Sequence, residues 1–150
     1  MIPYPKVISQ SFSSQTQRLH EVREYIAAAA REFGFSDEEV ANITIAVDEA
    51  CTNIIKHAYQ FAPDKRIDIS VTRDESSFTV SISDDGHSFD PGSIKTPDLK
   101  QHLAQYRRGG LGVYLMKKLM DKVEYSFAPN RRNQVSLTKF RSASRLSASS

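Results

Sequence analysis

Two rhythms of apolar residues alternate along this 150-residue chain. Between residues 16 and 33, Leu19, Val22, Ile26, Ala29 and Phe33 return at steps of three or four, one stripe of an α-helix, and Gly34 supplies its stop. A second helix opens at SDEEV, where the Ser36 hydroxyl can accept a backbone amide while Glu39 reaches back to the cap. Its stripe, Ile43, Val47, Ala50, Ile54 and Ala58, carries it to about residue 58. The period then drops to two. Ile67, Ile69 and Val71 mark one strand and Phe78, Val80 and Ile82 the next, joined through a hairpin at RDESS. LGVYLMKKLMD returns to the helical spacing, with Leu115, Met116, Leu119 and Met120 on its apolar side. KVEYSFA and NQVSLTKF are two closing strands turned at PNRRN. Near the start, residues 4–12 alternate through Ile8, Gln10 and Phe12 and suit an edge strand whose beginning is delayed by Pro3 and Pro5.

Strands with one apolar face and helices with one apolar stripe solve their burial problem together. The pattern predicts an α+β fold: a two-layer sandwich with a mostly antiparallel sheet and helices on one face. One domain over residues 1–140 and a disordered tail over 141–150, ending SASRLSASS, are expected, with no internal repeat. The polar stretch from Gly86 to Gly110, carrying Pro91, Gly92 and Pro97, is too long for a passive connection and reads as a functional loop.

Composition narrows the function classes. With 39% hydrophobic and 25% charged residues the chain is of the ordinary soluble kind. No apolar run approaches the ~18 residues of a membrane span, and MIPYPKV lacks the layout of a signal peptide, so no membrane partner and a cytoplasmic location are expected. The single Cys51 excludes an internal disulfide and a thiolate metal cluster. The four histidines show no metal-ligand spacing, so no zinc is expected. Charge is split along the chain: residues 1–100 hold 10 Lys and Arg against 16 Asp and Glu, and residues 101–150 hold 10 against 2. Nucleic acid alone would account for the basic end and leave the acidic part unexplained, so no direct nucleic-acid binding is expected; acidic protein surfaces or nucleotide phosphates suit the whole chain better.

Three clusters carry candidate chemistry. Glu49, Asn53 and His57 sit at i, i+4 and i+8 on one helix face. A carboxylate and a carboxamide inside a domain are costly unless paired, and metal-bound phosphate oxygens are one partner; a solvent-facing stripe is the plain alternative. Asp84 shares the strand parity of Phe78, Val80 and Ile82, so an acid ends a buried row just before Asp85 and Gly86. Such a carboxylate suits an exocyclic amine donor such as that of adenine, although an Asp-Gly turn at a strand end is common for purely local reasons. RRGGLGVYL places Arg107 and Arg108 before Gly109, Gly110, Leu111 and Gly112 at a helix start. Backbone amides there favour anions, yet no P-loop pattern is present and turn chemistry alone would also use these glycines.

The order and spacing of the three clusters resemble the GHKL ATP-binding fold shared by gyrase, the ninety-kilodalton heat-shock chaperone, histidine kinases and MutL, and within it the anti-sigma factor serine kinases of the RsbW and SpoIIAB kind. VDEACTNIIKHAY resembles that family's N box, ISDDGHSFDP its G1 box, and RGGLGVYLMKKLMDKVEY its G2 box with the following strand, so the likeness spans about residues 8–140. By this resemblance Glu49 is the general base, Asn53 binds magnesium, Asp84 recognises the adenine amine, Gly86 floors the base pocket, and Gly110 and Gly112 approach the phosphates. It also makes residues 87–108 an ATP lid with Arg107 or Arg108 near the γ-phosphate, gives His57 a structural place under that lid, and puts Thr138 against the base pocket. Ser88 stands where the family usually has a glycine.

The implied activity is an ATP- and Mg²⁺-dependent serine/threonine protein kinase acting as an anti-sigma factor. It would bind a sigma factor and phosphorylate an anti-anti-sigma (STAS) protein, and a homodimer is possible. The alternative is a nucleotide-switched partner-binding module without phosphate transfer, kept open by Ser88. A detached histidine-kinase catalytic part fits less well, since no dimerisation helix pair with a phosphoacceptor histidine precedes the first box.

Overall fold

The computed structural model describes residues 6–87, 110–126 and 132–141. Strand β1 (Lys6–Ser13) leads through a short 3-10 turn into α1 (Leu19–Phe33) and then α2 (Asp37–Asn53), which continues as a wide π-helical turn over Ile54–Ala58. The hairpin β2 (Arg66–Arg73) and β3 (Ser77–Asp84) follows, then α3 (Gly110–Leu119), β4 (Lys122–Ser126) and β5 (Asn133–Phe140). The five strands form one antiparallel sheet in the order β1-β2-β3-β5-β4. β1 lies at an edge, as the early prolines suggest.

Local chemistry explains each boundary. Gly34 caps α1 with φ 103°, a left-handed conformation that needs no Cβ, and its amide bonds back to the last turn. The capping box at the head of α2 is formed: the Glu39 amide donates to Ser36 Oγ at 3.2 Å and the Ser36 amide to Glu39 Oε1 at 2.9 Å. Three acids, Asp37, Glu38 and Glu39, then face the positive end of the helix dipole. At the β2–β3 turn the Asp74 carboxylate accepts the Ser76 and Ser77 amides at 2.9 and 2.8 Å.

The strand register fixes which face is buried. Ile69 opposes Ile82, Val80 opposes Leu137 and Ile82 opposes Val135, and all of these are buried beneath α1 and α2 with Val22, Ile26, Ile43, Val47 and Ala50. The other face is a lawn of hydroxyls, with Thr79 Oγ1 3.0 Å from Thr138 Oγ1 and Ser81 Oγ 3.2 Å from Ser136 Oγ. The third helix packs on α2 through Val113, Met116 and Met120; Leu115 and Leu119, expected on its apolar side, are only half-buried. No helix among the described residues is long and apolar enough to cross a membrane.

Candidate functional site

The apolar stripe of α2 is interrupted where the helix changes its winding. Asn53 is the last α-helical residue and is buried, at 3% exposure, yet its Nδ2 has no hydrogen-bond partner among the described residues. A donor taken out of water and left unpaired costs about 1–3 kcal/mol, so the arrangement favours any ligand that supplies the missing partner. One turn earlier Glu49 is half-buried. Burial, reinforced by the neighbouring Asp48 charge and opposed by Lys56, raises its carboxyl above the ordinary range. His57 lies within the π turn, where burial, with help from Lys56, pushes its pKa down. The lid expected above it falls outside the described residues.

The π turn also leads into a wide cavity of about 510 Å³, whose lining includes Ala58, Tyr59, Gly86 and His87. The Tyr59 amide reaches back five residues to the Ile54 carbonyl at 2.9 Å, and Gln60 and Phe61 then turn the chain with φ of 50° and 64°. This widened turn presents the Ala58 carbonyl to the end of β3, where it accepts the His87 amide at 2.8 Å. Gly86 is pressed against the same group: a Cβ there would stand 2.4 Å from the Ala58 oxygen. The glycine is therefore demanded by the protein's own backbone as well as by any ligand it floors. The sequence reading carried one α-helix to about residue 58; the helix does reach Ala58, but its last turn is wound wider.

Asp84 closes the inward row of β3 at 3% exposure, as its parity requires. Its Oδ1 accepts the Asn133 Nδ2 at 2.9 Å and the Gly86 amide at 2.8 Å. Burial raises its carboxyl above the ordinary range, against the pull of these two donors. Ala50 and Asn53 from α2, Ile54 from the π turn, Asp84, Tyr125 from β4, and Asn133, Gln134 and Val135 from β5 together line one narrow cleft of about 10 Å³, room for about one water. Thus Asn53 and Asp84, distant in the chain, meet across one space, with Glu49 a turn away along α2.

One predicted participant falls elsewhere. Thr138 pairs with Thr79 on the hydroxyl face, whereas Asp84 belongs to the opposite, helix-covered face; the alternation of Val135 and Leu137 already turns Thr138 outward, so its assignment to the base pocket is corrected. Gly110, Leu111 and Gly112 form the first turn of α3, which packs beside α2. Arg107, Arg108, Gly109 and Ser88 fall outside the described residues. Sequence reasoning also missed two lining residues. Asn133 and Tyr125 are found by the same parity that found Asp84: Val135 and Leu137 place Asn133 inward, and Val123 places Tyr125 inward. Tyr125 is buried deeply enough for its phenol to be pushed up to about 12.

The donor set suits magnesium. That ion is commonly held by one or two protein oxygens plus phosphate oxygens and water, rather than by a cage. Among the described residues no group of three or more His, Cys, Asp or Glu forms such a cage. Asn53 lines the space, and because a half-rotation exchanges the nitrogen and oxygen of a carboxamide its oxygen can face inward, with the Glu49 carboxylate a turn away along α2.

Comparisons with known proteins identify the chain's family. Residues 12–139 match the family described as "Histidine kinase-like ATPase domain". Serine-protein kinase RsbW of Bacillus subtilis (strain 168) is 33% identical over 121 residues, 77% of this chain and 75% of its own length. RsbW of Bacillus velezensis is 30% identical over 144 residues, 93% and 88% respectively. The crystal structure of the RsbU and RsbW domains of Rv1364c from Mycobacterium tuberculosis superposes with a TM-score of 0.64 at 15% identity, covering 92% of this chain and 34% of that one, and so shares the fold. By its family match and its relatives, the chain belongs to the histidine kinase-like ATPase domain family, in the branch of the RsbW serine-protein kinases.

Proposed function

We propose that ATP with Mg²⁺ binds over this narrow cleft, with Asp84 and Asn53 at its floor, and that the protein transfers the γ-phosphate to a serine of an anti-anti-sigma (STAS) protein, while also binding a sigma factor. The observation that carries the reading is that a buried Asn53 carboxamide, whose Nδ2 has no hydrogen-bond partner among the described residues, and a buried Asp84 carboxylate line one space. Asp84 would accept an N–H from the adenine amine. Asn53 would hold the magnesium ion, which supplies charge neutralisation of the phosphates. Glu49, whose raised carboxyl brings it nearer neutrality, would take the proton of the attacking serine hydroxyl. The amides at Gly110 to Gly112, with Arg107 and Arg108, would approach the phosphates. Both partners rest on the likeness to the RsbW kinases rather than on a surface of this chain.

Purified protein incubated with labelled ATP and a candidate STAS protein should label a serine, and Glu49→Gln should slow labelling about 10²–10⁴-fold while sparing nucleotide affinity. Equal labelling by the glutamine variant removes Glu49 from the role of base. ATP binding without transfer to any candidate would favour the nucleotide-switched binding module.

A further inference from the structure

Three consecutive residues at the end of β3 are gripped by the two residues that open β5. Asn133, 5% exposed, donates from Nδ2 to Asp84 Oδ1 at 2.9 Å and to the Gly86 carbonyl at 2.9 Å. Beside it, the Arg132 guanidinium takes the Asp85 carboxylate in a two-point grip, Nε to Oδ1 at 2.8 Å and Nη2 to Oδ2 at 3.3 Å. Its Nη1 reaches Asp68 Oδ2 at 2.6 Å, which anchors the grip to β2. Asp84, Asp85 and Gly86 are thus each held from the neighbouring strand. The Gly86 amide adds a second donor to Asp84 Oδ1, so that oxygen has its full set before a ligand arrives, and the acceptor capacity left to the carboxylate lies on Oδ2.

We propose that Arg132 and Asn133 form a clamp that determines nucleobase specificity, by fixing the Asp84 carboxylate with Oδ1 occupied so that one acceptor oxygen is offered to the base. The clamp rests on the nucleotide reading of the cleft. A fixed acceptor rewards a purine with an amino group at position 6 and penalises one with an oxo group there, because two acceptors would then face each other without a proton between them. Asn133 is a positioning residue: it touches Asp84, and Asp84 would touch the base. Removing it leaves a buried carboxyl short of a donor. Such a group protonates more readily and, once protonated, can donate to an oxo group. Loss of Asn133 should therefore blur the choice of base, an effect that a merely structural role would not produce.

The test is calorimetric titration of the whole chain with ATP and with inosine triphosphate. Wild-type protein should prefer ATP by about tenfold or more, the scale set by a polar site left mispaired. Asn133→Leu should bring the two affinities within about threefold, and Asn133→Ser, which can restore only one of the two donated bonds, should leave a preference between that of Asn133→Leu and that of wild type. If Asn133→Leu does not melt as a folded protein, the serine variant decides, since a preference intermediate between wild type and none is expected of it and an unchanged one is not. An unmoved ATP preference in a folded variant overturns the clamp alone, provided that Asp84→Asn still weakens ATP. Should wild-type protein bind neither nucleotide, or should Asp84→Asn leave ATP affinity untouched, the nucleotide reading fails and the clamp with it.

Discussion

The two central strands each end an apolar row on a buried charge, and the two charges have different fates. On β2 the row Ile67, Ile69, Val71 ends at Arg73, 1% exposed; on β3 the row Phe78, Val80, Ile82 ends at Asp84, 3% exposed, at the other end of the sheet. Arg73 lies under α1. Its Nη1 reaches the Ala29 carbonyl at 3.4 Å, Nη2 stands 3.5 Å from Glu32 Oε1 without hydrogen-bond geometry, and Nε has no hydrogen-bond partner among the described residues. Asp84 instead receives two well-formed bonds and opens on the cleft shared with Asn53. Parity alone selects both residues, so a charge at the end of a buried row is not in itself a binding site. What separates them is the company: fixed donors and a facing cleft for Asp84, a helix and a loose ion pair for Arg73.

The contrast can be broken most severely at Gly86, the backbone support of the Asp84 end. With Ala58 O only 2.4 Å from the position of a new Cβ, Gly86→Ala should lower stability by about 3 kcal/mol, read from denaturant melts; an unchanged midpoint would mean the two backbones are not truly pressed together. Next in size, Asp84→Asn should weaken ATP about ten- to a hundredfold, the scale of a hydrogen bond to a charged group, with little change in melting. Arg73→Met should do the reverse of what its burial first suggests. ATP affinity should hold, and stability should rise or stay within about 1 kcal/mol, because an apolar side chain replaces a poorly paired buried cation. A large loss in Arg73→Met would show that the Glu32 pair matters more than its geometry implies.

The smallest effect sharpens the comparison through pH. Burial holds the folded Asp84 carboxyl above its unfolded value, so the folded chain binds this proton more readily than the unfolded one. As pH rises from the ordinary carboxylate range through the raised one, the Asp84 contribution to stability falls. ATP affinity, which needs the ionised carboxylate, should rise over the same window. Thermal melts and titrations across it should move in opposite directions in wild-type protein, and both slopes should flatten in Asp84→Asn.

Much of this was legible in the chain. Period-two and period-three-to-four patterns place the helices and strands, and parity alone puts Asp84 on the buried row of β3, where the structure has it. The rest depended on pairing between distant segments. Asn133 reaches Asp84 only through the β3–β5 register, across 49 residues, and nothing in NQVSLTKF announces which strand it will join. Thr138 lies on the face that the alternation of Val135 and Leu137 already assigns to it, away from Asp84. The π turn has no mark in helix propensity, and its Ala58 carbonyl meets the His87 amide only in the folded chain.

That wide turn also sets a bookkeeping of length. A five-residue reach accommodates one residue more than an ordinary turn, so the segment beyond Asn53 behaves as though a single amino acid had been inserted into α2. Deleting one residue there would let regular winding resume with the later side chains keeping their faces, whereas the same deletion in the regular part of α2 would swing every later side chain by about 100° around the axis. In that second case the loop reaching β2 would start from a different side of the helix, so a one-codon change could detach the wall of the cleft while leaving the helical content almost the same.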